Sequence, residues 1–115
     1  MILYLNGQFL QQTEAALDPL DRGVLLGDGI FETIRCEESQ LLFHLAHFAR
    51  LARSARLMEI PWTMKPQELL EIGQQVLDAN GLRDARLRVT VTRGEMDREP
   101  GVSTNVTAPT VIVHA

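Results

Sequence analysis

Apolar residues fall on alternate positions, or in short runs, along six stretches of the chain. Because successive side chains of a β-strand point to opposite faces, this arrangement predicts strands. The predicted strands cover residues 2–5, 8–10, 30–36, 41–43, 85–92 and the segment 109–115 around Val111-Ile112-Val113. Asn6-Gly7 predicts a tight hairpin turn between the first two strands, because both residues tolerate positive φ angles.

Two other stretches have helical spacing. Apolar residues recur every three or four positions from Leu45 to Met58, which predicts an amphipathic helix with Arg50, Arg53 and Arg56 off its apolar stripe. A second helix is predicted to begin at Pro66 and to end at Asn80-Gly81. The order of these elements predicts a single α+β domain over residues 1–115, with a mostly antiparallel sheet and two helices.

The predicted strand 30–36 follows the turn Gly27-Asp28-Gly29 and has two distinct faces. Alternation places Phe31 on one face, and Glu32 on the other together with Ile34. Two glycines within three residues indicate unusual backbone angles or a close neighbour. Aspartates in such turns commonly accept hydrogen bonds from nearby backbone N–H groups, and we expect this of Asp21 and Asp28. The turn lacks the third glycine of a dinucleotide-binding fingerprint.

Charge and composition narrow the function classes. The formal net charge is -4, so there is no basic footprint for bulk nucleic-acid binding. The single cysteine, Cys36, rules out an internal disulfide and fits a reducing compartment. No apolar run approaches the length of a membrane span, and the N-terminus does not have the pattern of a signal peptide. We therefore predict a cytoplasmic protein that contacts neither membrane nor nucleic acid.

Arginine supplies the candidate chemistry, because the only lysine is Lys65. Arg50 has two interpretations: a solvated charge on the outer face of a helix, or a contact to a phosphate or carboxylate through its planar guanidinium. Arg93, beside Gly94 on the loop after strand 85–92, offers the same choice. The three histidines do not cluster with carboxylates, so no metal site is predicted. The residues alone predict an α+β domain with anion-binding potential.

The motifs together resemble the N-terminal domain of the class IV (fold type IV) pyridoxal-phosphate enzymes. That group contains branched-chain aminotransferases, D-amino-acid aminotransferases and aminodeoxychorismate lyases. The matching motifs are Leu5-Asn6-Gly7, Asp21-Arg22-Gly23, Gly27-Asp28-Gly29-Ile30-Phe31-Glu32-Thr33-Ile34-Arg35, His47-Phe48-Ala49-Arg50-Leu51, Ser54-Ala55, Leu57 and Val91-Thr92-Arg93-Gly94. They follow the family's order and spacing across essentially the whole chain.

The resemblance implies roles for three residues. Arg50 would bind the phosphate of pyridoxal 5'-phosphate, and Phe31 would form part of the wall of the substrate pocket. Arg98 falls where D-amino-acid aminotransferases have a carboxylate-binding arginine. Two positions depart from those enzymes, which have tyrosine in place of Phe31 and histidine in place of Pro100. The resemblance also implies a homodimer.

The resemblance further implies that the catalytic machinery is divided between two domains. The family's Schiff-base lysine lies in a C-terminal domain, beyond the last residue of this chain, and Lys65 matches no catalytic motif. We expect this chain to be the N-terminal part of an amino-acid aminotransferase, of branched-chain or D-amino-acid type, and to be inactive alone. Aminodeoxychorismate lyase of folate synthesis is one alternative. A non-catalytic binding or dimerisation module of the same ancestry is the other.

Overall fold

The computed structural model describes residues 1–95 and 108–115. All strands of these residues belong to one antiparallel sheet, in the order β2-β1-β6-β5-β3-β4. The strands are β1 Ile2–Leu5, β2 Gln8–Gln11, β3 Gly29–Glu37, β4 Gln40–Leu41, β5 Ala85–Thr92 and β6 Thr110–His114; the helices are α1 Arg22–Leu26, α2 His44–Leu57 and α3 Pro66–Ala79. The predicted α+β class and antiparallel sheet are confirmed.

The core lies between one face of the sheet and the two long helices. Helix α2 contributes Phe48, Leu51 and Ala55 to it, and α3 contributes Leu69, Val76 and Leu77. The sheet contributes Ile34, Leu87, Val89, Val91 and Val113, all of which are fully buried. Removing this apolar surface from water drives the layers together. The opposite face of β3, which includes Phe31, is exposed.

Two local predictions need correction. Residues 24–26, expected to lead into the turn without a helix, lie in α1. This helix forms because the Asp21 carboxylate accepts a hydrogen bond from the N–H of Gly23, and Gly27 ends it in the left-handed conformation, with φ 64°. The return strand predicted at 41–43 lies instead at Gln40–Leu41. Phe43 has φ 55° and begins α2.

A buried carboxylate ties α1 to the sheet. Asp21 is 2% exposed, and the hydroxyl of Thr92 on β5 and that of Thr110 on β6 donate hydrogen bonds to its Oδ2 atom at 2.9 and 2.6 Å. Its Oδ1 atom accepts the Gly23 N–H at 2.7 Å, as expected for a turn former. Asp21 therefore links the segment before β3 to two strands that are distant from it in sequence.

None of the helices in residues 1–95 and 108–115 combines the length and the apolar character needed to cross a membrane.

Asp21→Ala tests the importance of this link. The substitution leaves two buried threonine hydroxyls and one N–H group without their acceptor, so we expect a loss of about 2–4 kcal/mol in the free energy of unfolding. Asp84→Ala is the matched control, because Asp84 is exposed and accepts one backbone N–H, from Glu38. Urea unfolding of both variants measures the difference. Equal losses would show that Asp21 is only a local turn former.

Candidate functional site

The site begins with a carboxylate on the helix-covered face of the sheet. Glu32 lies in β3 opposite Val89 of β5, and only 5% of its side chain is exposed. Its Oε1 atom accepts a hydrogen bond from Nε of Arg50 at 2.5 Å, and its Oε2 atom accepts one from Nη2 of Arg50 at 2.7 Å. A buried carboxylate needs such partners, because burying an unpaired charge is costly. Glu32 and Arg50 therefore form a two-point ion pair that joins β3 to α2.

Arg50 remains accessible despite this pair. Its side chain is 58% exposed and borders a hollow of about 260 Å³ on the α2 surface, together with Ala46, His47, Ala49 and Arg53. A guanidinium has five N–H donors, and Glu32 takes two of them, so three remain. The small side chains of Ala46 and Ala49 leave room for an anion to approach them. Arg50 can thus bind an anion without losing its protein partner.

His47 is the third member of this cluster. Its Nδ1 atom lies 2.7 Å from Oε2 of Glu32. An ionised carboxylate only accepts hydrogen bonds, so the proton of this contact lies on Nδ1. The Nε2 atom is then left for a further contact. His47 and Arg50 lie three residues apart, on the same face of α2.

The charges in the cluster stabilise one another. Hydrogen bonds from Arg50 hold the pKa of Glu32 below its ordinary value; burial opposes this shift, and the hydrogen bond from His47 supports it. Glu32 in turn raises the pKa of Arg50 further above its usual range, first by hydrogen bonding and then by its charge. The pair is therefore fully ionised near neutral pH.

Phe31 lies on the other face of the sheet from Glu32, because the two are successive residues of β3. Phe31 is 56% exposed, and the guanidinium carbon of Arg88 lies 3.8 Å from its ring centroid. Nε of Arg88 also donates to Oγ1 of Thr90 at 3.2 Å. The structure therefore pairs Phe31 with a cation-π partner on β5 and does not place it in contact with Arg50.

Arg93 has a structural role. It donates to Oδ2 of Asp28 at 2.7 Å, and to the carbonyl oxygens of Met58 and Glu59 at the end of α2. Asp28 also accepts a hydrogen bond from Arg22 at 2.7 Å, so its side chain bonds two guanidinium groups and not, as expected, a backbone N–H group. These two arginines lower the pKa of Asp28, Arg93 most strongly. Of the two interpretations of Arg93, the structural one holds.

The remaining candidates lie away from the cluster or beyond what is described. Arg98 lies outside the described residues. Lys65 is exposed at the start of α3, where its backbone N–H donates to Glu68. Cys36 is 2% exposed, and burial raises the pKa of its thiol, as expected of a packing residue. Within residues 1–95 and 108–115, His, Cys, Asp and Glu side chains form no group of three that could hold a metal ion.

The sequence interpretation missed Glu32, His47 and Arg88 as members of a site. A usable signal existed for Glu32, because a carboxylate on the predicted core face of β3 requires a buried cation partner. The choice of Arg50 as that partner depends on how α2 crosses β3, which the sequence pattern alone does not determine. For Arg88, alternation placed it on a strand face but could not show which strand lies beside β5.

Comparison with known proteins gives a consistent result. The sequence profile of the family described as amino-transferase class IV matches residues 29–115. The chain is 37% identical over 97 residues to a putative branched-chain-amino-acid aminotransferase of Methanocaldococcus jannaschii, covering 84% of this chain and 34% of that protein. It is 30% identical over 113 residues to the D-alanine aminotransferase of Staphylococcus haemolyticus, covering 98% and 40%.

A solved structure agrees with these relatives. A branched-chain amino acid aminotransferase from the organism abbreviated T.th., complexed with N-(5'-phosphopyridoxyl)-L-glutamate, superposes with a TM-score of 0.83 at 26% identity. The match covers 97% of this chain and 39% of that one. The chain thus spans well under half the length of the proteins that it matches.

Glu32→Gln should make the fold less sensitive to acid. The folded-state pKa of Glu32 lies below its ordinary 4.5, so the ion pair stabilises the fold above that pH and is lost as the pH falls through the folded pKa. We expect the variant to be less stable near neutral pH, by about 1–3 kcal/mol. Urea unfolding from about pH 6 to about pH 3 should show a steeper loss for wild type than for the variant. Parallel curves would contradict this.

Proposed function

The chain belongs to the amino-transferase class IV family, and from that premise we propose that it is the phosphate-binding part of a pyridoxal-phosphate-dependent amino-acid aminotransferase. The observation that carries the proposal is the orientation of Arg50. Glu32 occupies the inner edge of its guanidinium and leaves the outer edge open to the hollow on α2. Such a fork suits the oxygens of a phosphate.

The described residues fit the phosphate of pyridoxal 5'-phosphate. That group is an anion with several acceptor oxygens, and Arg50 offers three N–H donors next to His47 and Arg53, with Ala46 and Ala49 leaving space. Arg50 would hold the phosphate, and Nε2 of His47 is placed for a second contact. The phosphopyridoxyl group named for the solved branched-chain aminotransferase supports the same assignment.

The cofactor would supply an electron sink for a carbanion, and it needs a lysine to attach to the protein. Lys65 is exposed and its neighbours do not form a shielded pocket, so it does not suit this role. We propose that a C-terminal domain provides the lysine and the group that contacts the pyridine nitrogen. The chain's share of its relatives' length, 34% and 40%, supports this division.

The exposed face of β3 would contribute to substrate binding. Phe31 provides an apolar wall, and Arg88 provides a guanidinium held in place by the Phe31 ring and by Thr90. This combination suits an amino-acid substrate, which carries both an apolar part and a carboxylate. Arg98 stays a proposal as a further carboxylate contact.

Exposed apolar residues support the half-site proposal over a stand-alone module. Val24, Leu25 and Leu26 on α1 are 57%, 58% and 64% exposed. They lie close in sequence to the turn that precedes Phe31, which is exposed as well. Apolar patches of this kind are typical of surfaces that another domain or subunit covers. A C-terminal domain and the second subunit of a homodimer are the proposed partners.

Arg50→Ala tests the phosphate assignment. In the full polypeptide that the coding frame encodes, the loss of charge-assisted hydrogen bonds should weaken binding of pyridoxal 5'-phosphate about 10- to 100-fold. Arg56→Ala removes the same charge at the far end of α2, at an exposed position, and should change the dissociation constant by less than about twofold. Equilibrium dialysis measures both. Similar affinities for the two variants would refute the assignment.

The reaction itself is tested with the same polypeptide. Incubation with a branched-chain L-amino acid or a D-amino acid, together with a 2-oxo acid, should transfer the amino group and form a new amino acid. The residues 1–115 alone should give no turnover, because they contain no lysine suited to hold the cofactor. Release of pyruvate from aminodeoxychorismate would instead identify the lyase alternative, and turnover by residues 1–115 alone would overturn the division into two parts.

A further inference from the structure

We propose that Glu32 is a positioning residue for Arg50: it strengthens binding of the cofactor phosphate although it is itself an anion. The inference rests on the proposed function, because it needs Arg50 to be the phosphate contact. It assigns to Glu32 a role that acts only through the guanidinium, without contact to the phosphate.

The first step of the argument is that Arg50 needs external support. An arginine side chain has about 2 kcal/mol of rotamer entropy, and one that is 58% exposed has few neighbours to hold it. A single hydrogen bond would let the guanidinium plane turn. Two parallel bonds, from Nε and Nη2 to the two oxygens of Glu32, fix the plane and direct the other edge outward.

The second step is that Glu32 is itself rigid. It lies in β3, which pairs with β5 along its whole length, and its side chain is 5% exposed. The contact with Nδ1 of His47 fixes the carboxylate from another direction. Because His47 belongs to α2, as Arg50 does, the carboxylate holds two side chains of this helix in register with the sheet. The orientation of Arg50 is therefore set before any ligand arrives, which reduces the entropy lost on binding.

The third step gives the effect a sign that charge alone does not. Coulomb's law predicts that neutralising Glu32 would make the site more positive and tighten the binding of a phosphate. Positioning predicts the opposite, because an amide accepts through only one oxygen and cannot form both bonds with Arg50. The two accounts thus disagree about the direction of change for Glu32→Gln.

The experiment compares pyridoxal 5'-phosphate with pyridoxal, which lacks the phosphate, in the full polypeptide that the coding frame encodes. The ratio of their dissociation constants isolates the contribution of the phosphate from general effects on the fold. We expect Glu32→Gln to reduce this ratio about tenfold, equivalent to about 1.4 kcal/mol. A ratio that stays the same or rises would overturn the positioning role.

A double-mutant cycle shows whether Glu32 acts through Arg50. If it does, Glu32→Gln should have no further effect on the ratio in an Arg50→Ala background. A further fall there would mean that Glu32 acts by another route, and would also overturn the inference. If Arg50→Ala alone leaves the ratio unchanged, or if wild type binds no pyridoxal 5'-phosphate, the proposed function fails and the inference falls with it.

Two more variants guard against a trivial loss of folding. Asp28→Asn breaks another partly buried carboxylate–arginine contact and should leave the ratio unchanged within about twofold, as expected for a lesion away from the cofactor. Arg50→Lys keeps the positive charge but cannot make the two-point contact with Glu32. It should lower the ratio even if Glu32→Gln does not fold, and a normal ratio for Arg50→Lys would contradict the positioning role.

Discussion

The structure depends on how one buried carboxylate is satisfied. Glu32 lies on the core side of β3, where an ionised group is tolerated only with close cationic partners. Arg50 and His47 supply them from α2, so the requirement to neutralise Glu32 also fixes where this helix lies on the sheet. The same requirement orients a guanidinium toward the surface. Stability and anion recognition thus share one interaction.

Other polar contacts keep the surroundings of this pair in place. Asp21 fastens α1 to β5 and β6, while Asp28 joins Arg22 to Arg93, which also contacts the carbonyl oxygens at the end of α2. The Gly27-Asp28-Gly29 turn is therefore held from several sides. This fixes the position of Phe31 and Glu32 in β3, one on each face of the sheet. The proposed cofactor contact and the proposed substrate wall follow from this alternation.

The sequence predicted most of the fold and only part of the site. Periodicity located the strands and both long helices, because apolar spacing follows directly from which face is buried. It missed α1, a five-residue helix whose capping by Asp21 and Gly27 is local and too short for a periodic pattern. Resemblance suggested Arg50 and Phe31. The partners Glu32 and Arg88 required the crossing of α2 over β3 and the neighbour of β5, which are tertiary facts.

The central claim is that these 115 residues grip the cofactor phosphate while another part of the protein holds the cofactor covalently. Borohydride reduction of the full polypeptide loaded with pyridoxal 5'-phosphate converts the lysine–cofactor bond into a stable amine, which peptide mapping by mass spectrometry can locate. The account predicts the label on a lysine outside residues 1–115. A label on Lys65 would contradict it, because this chain would then contain both the anchor and the phosphate contact.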